Sequence, residues 1–225
     1  MPLPSLFGGG SNYVDTDKRD ILLFFRGTGV RNLRYHTRLR EAATQLSLYN
    51  RRIIIELWYR EGGKRYGSPS NFWNVSKYGY TGKSAFSVNI AGMRNAIFVL
   101  AIRGYGLSSY RLVEALEFGA IPIIISDNLV LPYSDETINW SEIAFRFSES
   151  YMIDHPKELV KKLETLVSEK MDLLLSMQRK GKKIYDTYLT SKIEYIPIGL
   201  NVTFSNIIKA TRHSTSSNLK RVNKN

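Results

Sequence analysis

Four short apolar runs limit what this chain can fold into. Ile21 to Phe25 and Ala96 to Ile102 are apolar throughout, Ile53 to Trp58 is dominated by β-branched residues, and Ile121 to Ser126 is apolar up to its last residue. A strand with one wet face alternates apolar and polar side chains. Runs without alternation belong to strands covered on both faces, as in parallel sheets with helices on either side. Between them, Leu39, Ala42, Ala43, Leu46 and Tyr49 recur at three- and four-residue spacing, which predicts an amphipathic helix over 37–49. Residues 83–95 also read as helix, and a short helix carrying Glu114 joins the last two runs into a βαβ unit. The expected class is α/β: a Rossmann-like parallel sheet with helices on both faces.

The 225 residues, 43% of them hydrophobic, suffice for one well-buried domain. Residues 1–17 mix Pro, Gly, Ser and Asn and read as a lead-in, 18–190 as the domain, and 191–225 as an extension ending in a basic tail. A long surface loop is expected over 60–82 and a strand over Ile143 to Phe147. Further helices are expected from Pro156 to Ser168, from Met171 to Tyr188, and near Phe204 to Ala210. No cysteine is present, so disulfides, thiolate metal sites and cysteine nucleophiles are excluded. No apolar run approaches the roughly 18 residues of a membrane span, and the first ten residues do not read as a signal peptide. The net charge of +12 calls for an anionic partner: nucleic acid, acidic polysaccharide, nucleotide or membrane surface. Three sequons, at Asn74, Asn139 and Asn201, are about what chance provides in so Asn- and Ser-rich a chain.

Loops at strand ends carry the chemistry. Arg26-Gly27-Thr28-Gly29 follows the first run, but the dinucleotide fingerprint requires a glycine where Asn32 stands. Gly82-Lys83-Ser84 resembles a phosphate loop, yet that motif needs a glycine at Lys77. Asp15-Thr16-Asp17 has the spacing of a metal-binding Asp-x-Asp, but no apolar strand precedes it, and it reads as a solvated turn. Arg31, Arg34, Arg38 and Arg40 crowd the start of the first helix against its dipole, which an anion would relieve and a solvated basic face would also explain. The stretch from Arg103 to Glu114 is the most specific. Gly104 and Gly106 let backbone approach an anion, Ser108 and Ser109 can cap a helix or donate to phosphate, and Arg103 and Arg111 supply charge. Glu114, three residues beyond Arg111, can accept from ribose hydroxyls or simply pair with that arginine.

The run Arg103-Gly104, Leu107-Ser108-Ser109-Tyr110-Arg111-Leu112, Glu114-Ala115-Leu116, Gly119 to Asp127, Leu131-Pro132-Tyr133 and Ile138-Asn139-Trp140 closely resembles the exostosin (GT47-like) glycosyltransferases, and the likeness extends over about residues 18–170. The resemblance implies a GT-B architecture of two facing Rossmann-like domains, of which this chain matches the C-terminal, donor-binding one. It implies transfer of a sugar from a nucleotide-sugar, a UDP-sugar above all, to a glycan or polysaccharide acceptor, without essential metal or cofactor, in the Golgi lumen. Arg26, Gly27, Arg103, Gly104, Ser108 and Ser109 would then lie near the diphosphate, Arg111 would stabilise the departing diphosphate, and Glu114 would hold the ribose. A complete member carries a further domain before the strand at Ile21, where the general base is to be sought, and His36, His155 and His213 fall outside the matched block. A non-catalytic, transferase-like subunit that partners an active transferase is the first alternative. A basic nucleic-acid-binding module is the second, disfavoured because the aromatic residues do not interleave with the basic ones.

Overall fold

A computed structural model describes residues 14–29, 34–61, 64–67, 85–104, 106–134 and 137–189. The expected helix near Phe204 to Ala210, the Gly82-Lys83-Ser84 segment, most of the 60–82 loop and the basic tail lie outside the described residues.

The four apolar runs become strands. β1 (Ile21–Thr28), β2 (Ile53–Glu61), β4 (Ala96–Ile102) and β5 (Ile121–Ile125) are joined by β3 (Lys64–Gly67) and β6 (Phe145–Phe147) in one sheet of order β3-β2-β1-β4-β5-β6. β2, β1, β4, β5 and β6 run parallel. β3 alone is antiparallel, pairing Trp58↔Gly67 through Glu61↔Lys64. The strand therefore continues past Trp58 and turns back, where the sequence suggests a loop. An edge hairpin is held by backbone pairing and needs no apolar run to announce it.

Both faces of the sheet are buried, as the unalternated runs require. On one face Leu23, Phe25, Ile55, Leu100 and Ile123 pack under α1 (Arg34–Thr44) and α5 (Pro156–Glu169). On the other, Phe24, Ile54 and Val99 meet Met93 of α2 (Ala85–Asn95) and Ala115 of α3 (Tyr110–Glu117), while Ala101 and Ile124 meet Leu112, Trp140 and Ile143. α3 ends where Gly119, at φ 67°, turns left-handed; its N–H reaches the Leu116 carbonyl and that of Ala120 reaches Ala115, which satisfies the last carbonyls and aims the chain into β5.

Two elements depart from the sequence reading. A short helix, α4 (Glu149–Asp154), follows β6, capped by Ser148 through the Tyr151 N–H; six residues are too few for apolar periodicity to reveal. The end of the lead-in is anchored: Thr16 is buried, and its N–H and hydroxyl both donate to Gln178 Oε1 of α6 (Met171–Ile184), at 2.9 and 2.7 Å. Asp15 and Asp17 themselves are exposed.

Candidate functional site

The chain steps from β1 to β2 on one side and returns to place β4 on the other, so the sheet reverses direction between β1 and β4. Pairing of β1 with β4 stops at Phe24↔Val99, whereas β1 follows β2 as far as Thr28↔Trp58 and β4 follows β5 to Ile102↔Ile125. The two middle strands part at their carboxyl ends. The crevice this leaves is where open α/β sheets bind ligands, and most of the residues singled out from the sequence border it.

Arg26, at the end of β1, is buried with its Nε 2.8 Å from Glu56 Oε2 of β2 and its guanidinium 4.3 Å from the Trp58 ring centroid. Its backbone carbonyl accepts from Arg111 Nε and Nη2, at 3.1 and 2.9 Å. A side chain at Gly27 would meet the Phe25 ring at 2.6 Å. Arg111, in the first turn of α3, thus bridges the end of β1 to its own helix, where its Nη1 donates to Glu114 Oε2. Glu114 is fully buried, and its other oxygen, Oε1, has no hydrogen-bond partner among the described residues. Burial pushes the Glu114 carboxyl above its ordinary range; the Arg111 charge and hydrogen bond work in the opposite direction, and Glu117 adds a smaller upward push.

Arg103 follows β4, with its Nη1 3.3 Å from Glu149 Oε1. Glu149 heads α4 and exchanges hydrogen bonds with Asp127 at the end of β5: Asp127 N donates to Glu149 Oε1, and Glu149 N donates to Asp127 Oδ1. Ser126 Oγ donates to the Leu107 carbonyl at 2.8 Å, which ties the loop before α3 to β5. Within that loop Ser108 is exposed, and Ser109 sits at the N-cap of α3 without a side-chain capping bond, so both hydroxyls remain available. A Cβ on Gly104 would come 2.9 Å from Arg40 Nη2, whereas nothing lies within 4 Å of the corresponding point on Gly106. Arg40, from α1, donates to the carbonyls of Thr28 and Arg103. Burial first, and the Arg111 charge second, hold it below its ordinary pKa.

Sequence reasoning missed Glu56, Trp58 and Glu149 as supports of the site, named Asp127 only as part of the resembling motif, and counted Arg40 only as one of a basic cluster. The signals were faint: a lone acid inside an apolar run at Glu56, and a Ser148-Glu149 helix start. Arg31 lies outside the described residues, and Arg34, His36 and Arg38 are described by backbone alone. His155 stands apart from the crevice, with Nδ1 3.7 Å from Glu158. Pro132 and Trp140 act as a brace, the indole Nε1 donating to the Pro132 carbonyl at 2.8 Å. A hollow of about 560 Å³ lies elsewhere, lined by Phe147, Tyr151 and α5 residues including Lys161 and Lys162. Its lining is mainly apolar and it lacks the convergent arginines of the crevice. Among the described residues no cluster of His, Cys, Asp and Glu could hold a metal, and no helix is long and apolar enough to cross a membrane.

Comparison with known proteins identifies the family. The model of the Exostosin GT47 domain matches residues 1–163. An Exostosin-1 homolog of Caenorhabditis elegans is 33% identical over 99 residues, 44% of this chain and 24% of that protein. A protein of Oryza sativa named as a probable glucuronosyltransferase is 44% identical over 88 residues, 39% of this chain and 19% of its own. Exostosin-1 of Mus musculus is 28% identical over 117 residues, 52% of this chain and 15% of that one. The chain thus matches a quarter or less of these relatives' length. Among solved structures, the C-terminal domain of a glycosyl transferase group 1 family protein from Francisella tularensis aligns with 83% of this chain and 97% of its own, at 12% identity and a TM-score of 0.44. With the family model covering most of the sequence, this chain belongs to the exostosin GT47 family of glycosyltransferases.

Proposed function

We propose that this chain supplies the nucleotide-sugar-binding half of a glycosyltransferase, holding a UDP-sugar at the crevice between β1 and β4 for transfer to a glycan or polysaccharide acceptor. The observation that carries the reading is Glu114. Its carboxylate is buried at the crevice, with one oxygen taken by Arg111 and the other without a partner among the described residues. A buried carboxylate oxygen left unsatisfied is costly, and two neighbouring ribose hydroxyls are donors suited to it. With the ribose there, the diphosphate falls toward Arg111 and the hydroxyls of Ser108 and Ser109 at the start of α3.

The chemistry follows from charge. Transfer breaks the bond between the anomeric carbon and the diphosphate oxygen, and negative charge grows on the leaving diphosphate as the acceptor hydroxyl attacks. A guanidinium already held in place by the Arg26 carbonyl and Glu114 stabilises that charge without reorganising. No described residue takes the acceptor proton in this scheme; the base belongs to a facing domain or a partner chain. Arginines that can neutralise the leaving diphosphate support a transfer without metal, and membership of the exostosin family supports a setting in the Golgi lumen.

Thermal shift with UDP tests the reading. UDP at near-millimolar concentration raises the melting temperature of the chain, and Arg111→Ala and Glu114→Ala each abolish the shift. No shift at saturating UDP or GDP would sink it.

A further inference from the structure

The middle of α1 brings another arginine to the crevice. Arg40 donates from Nη1 to the Thr28 carbonyl at the end of β1 and from Nε to the Arg103 carbonyl beyond β4, the latter at 3.3 Å, so one guanidinium touches both sides of the opening. Its Cζ lies 5.7 Å from the Phe25 ring centroid, and Gly104 lies directly against its Nη2. Arg111 holds the carbonyl of Arg26, two residues earlier on the same strand. At about 3.3 Å per residue, the two anchoring carbonyls are roughly 7 Å apart.

This pairing is unfavourable in the absence of an anion. Backbone carbonyls supply dipoles but no net charge, and Glu114 bonds Arg111, not Arg40. Burial and the nearby Arg111 charge both depress the pKa of Arg40, which is the cost of holding two like charges close together in a partly dry cleft. A dianion seated between the two guanidiniums would relieve that cost and receive charge-assisted hydrogen bonds from both sides. A lone structural staple between β1 and β4 would need no such neighbour.

We infer that Arg40 binds the donor diphosphate directly, forming with Arg111 a two-armed clamp across the crevice between β1 and β4. The inference rests on the nucleotide-sugar reading above and adds to it a residue on a different helix from the Arg111-Glu114 pair. It also explains Gly104: any side chain there would push the Arg40 guanidinium aside.

Calorimetric titration of the 225-residue chain with UDP, uridine and inorganic pyrophosphate, alongside ligand-free melting, decides the matter. Arg40→Gln is expected to weaken UDP and pyrophosphate binding by about tenfold or more, to leave uridine binding unchanged, and to melt at the same or a higher temperature without ligand. Arg40→Lys, which keeps the charge but cannot span both carbonyls, should recover part of the affinity. Pyrophosphate and UDP affinities within about twofold of wild type, with a lowered ligand-free melting temperature, make Arg40 a staple and overturn the clamp while leaving the nucleotide reading intact. A wild-type chain that binds neither UDP nor pyrophosphate overturns both. Should Arg40→Gln fail to fold, Arg40→Lys decides: a measurable loss of pyrophosphate affinity supports the clamp, and an unchanged affinity overturns it.

Discussion

Glu114 shows how much one side chain can hold in tension. It is fully buried, bonded through one oxygen to Arg111, and raised in pKa mainly by burial. A carboxyl whose folded pKa stands above its unfolded value favours the fold most when protonated in both states. That stability is fully present below the ordinary value of 4.5 and is lost as pH rises through the higher folded value. Glu114→Gln does not titrate, so its stability relative to wild type should grow as pH climbs through this window. Urea unfolding at a series of pH values checks this, and a difference that shrinks with rising pH would contradict the assignment. The same variant should bind UDP more weakly, since the amide is a poorer acceptor for ribose hydroxyls. From the sequence, Glu114 could equally have been a ribose ligand or a simple ion-pair partner. The structure contains the ion pair and also leaves an oxygen over, a distinction that depends on burial and that residue spacing could not reveal.

At the level of elements, the site depends on helices seated tightly on the sheet. α2 crosses β1 at Gly92, where a Cβ would stand 2.2 Å from the Phe24 ring. Gly92→Ala must push the helix or the ring aside, at a cost of about 1–3 kcal/mol. A reduced urea midpoint with an unchanged slope would register it; unchanged stability would mean that α2 does not seat as described. The helices were legible because burial on one face imposes a period on the sequence, and the inner strands because burial on both faces leaves unbroken apolar runs. α4 and the β2–β3 hairpin were not, because one is only six residues long and the other lies at the sheet edge. Pro132 and Trp140 likewise stand out in the motif, yet their contact is an indole to a backbone carbonyl that holds a loop.

For the molecule as a whole, the charge of +12 admits several anionic partners, and the location of the arginines narrows them. Those at the crevice are engaged with carbonyls, Glu56, Glu114 and Glu149, and they point to one compact anion more than to a long polyanion track. UDP binding should therefore weaken only gently with salt, while any affinity for random oligonucleotides should fall steeply. Gel-shift and calorimetry between about 50 and 200 mM salt compare the two. A steep slope for oligonucleotides with no UDP binding would instead favour a nucleic-acid role. The sequence by itself determined the class of fold, the positions of the inner strands along the chain and the loop from Arg103 to Glu114, because unalternated apolar runs and turn residues act locally. Only the tertiary structure decided that β1 and β4 part beyond Phe24, and that Arg40, Arg111 and Glu114 gather at that opening. Their meeting depends on strand register and on which side of β1 the chain returns to, long-range choices that no local pattern of residues encodes.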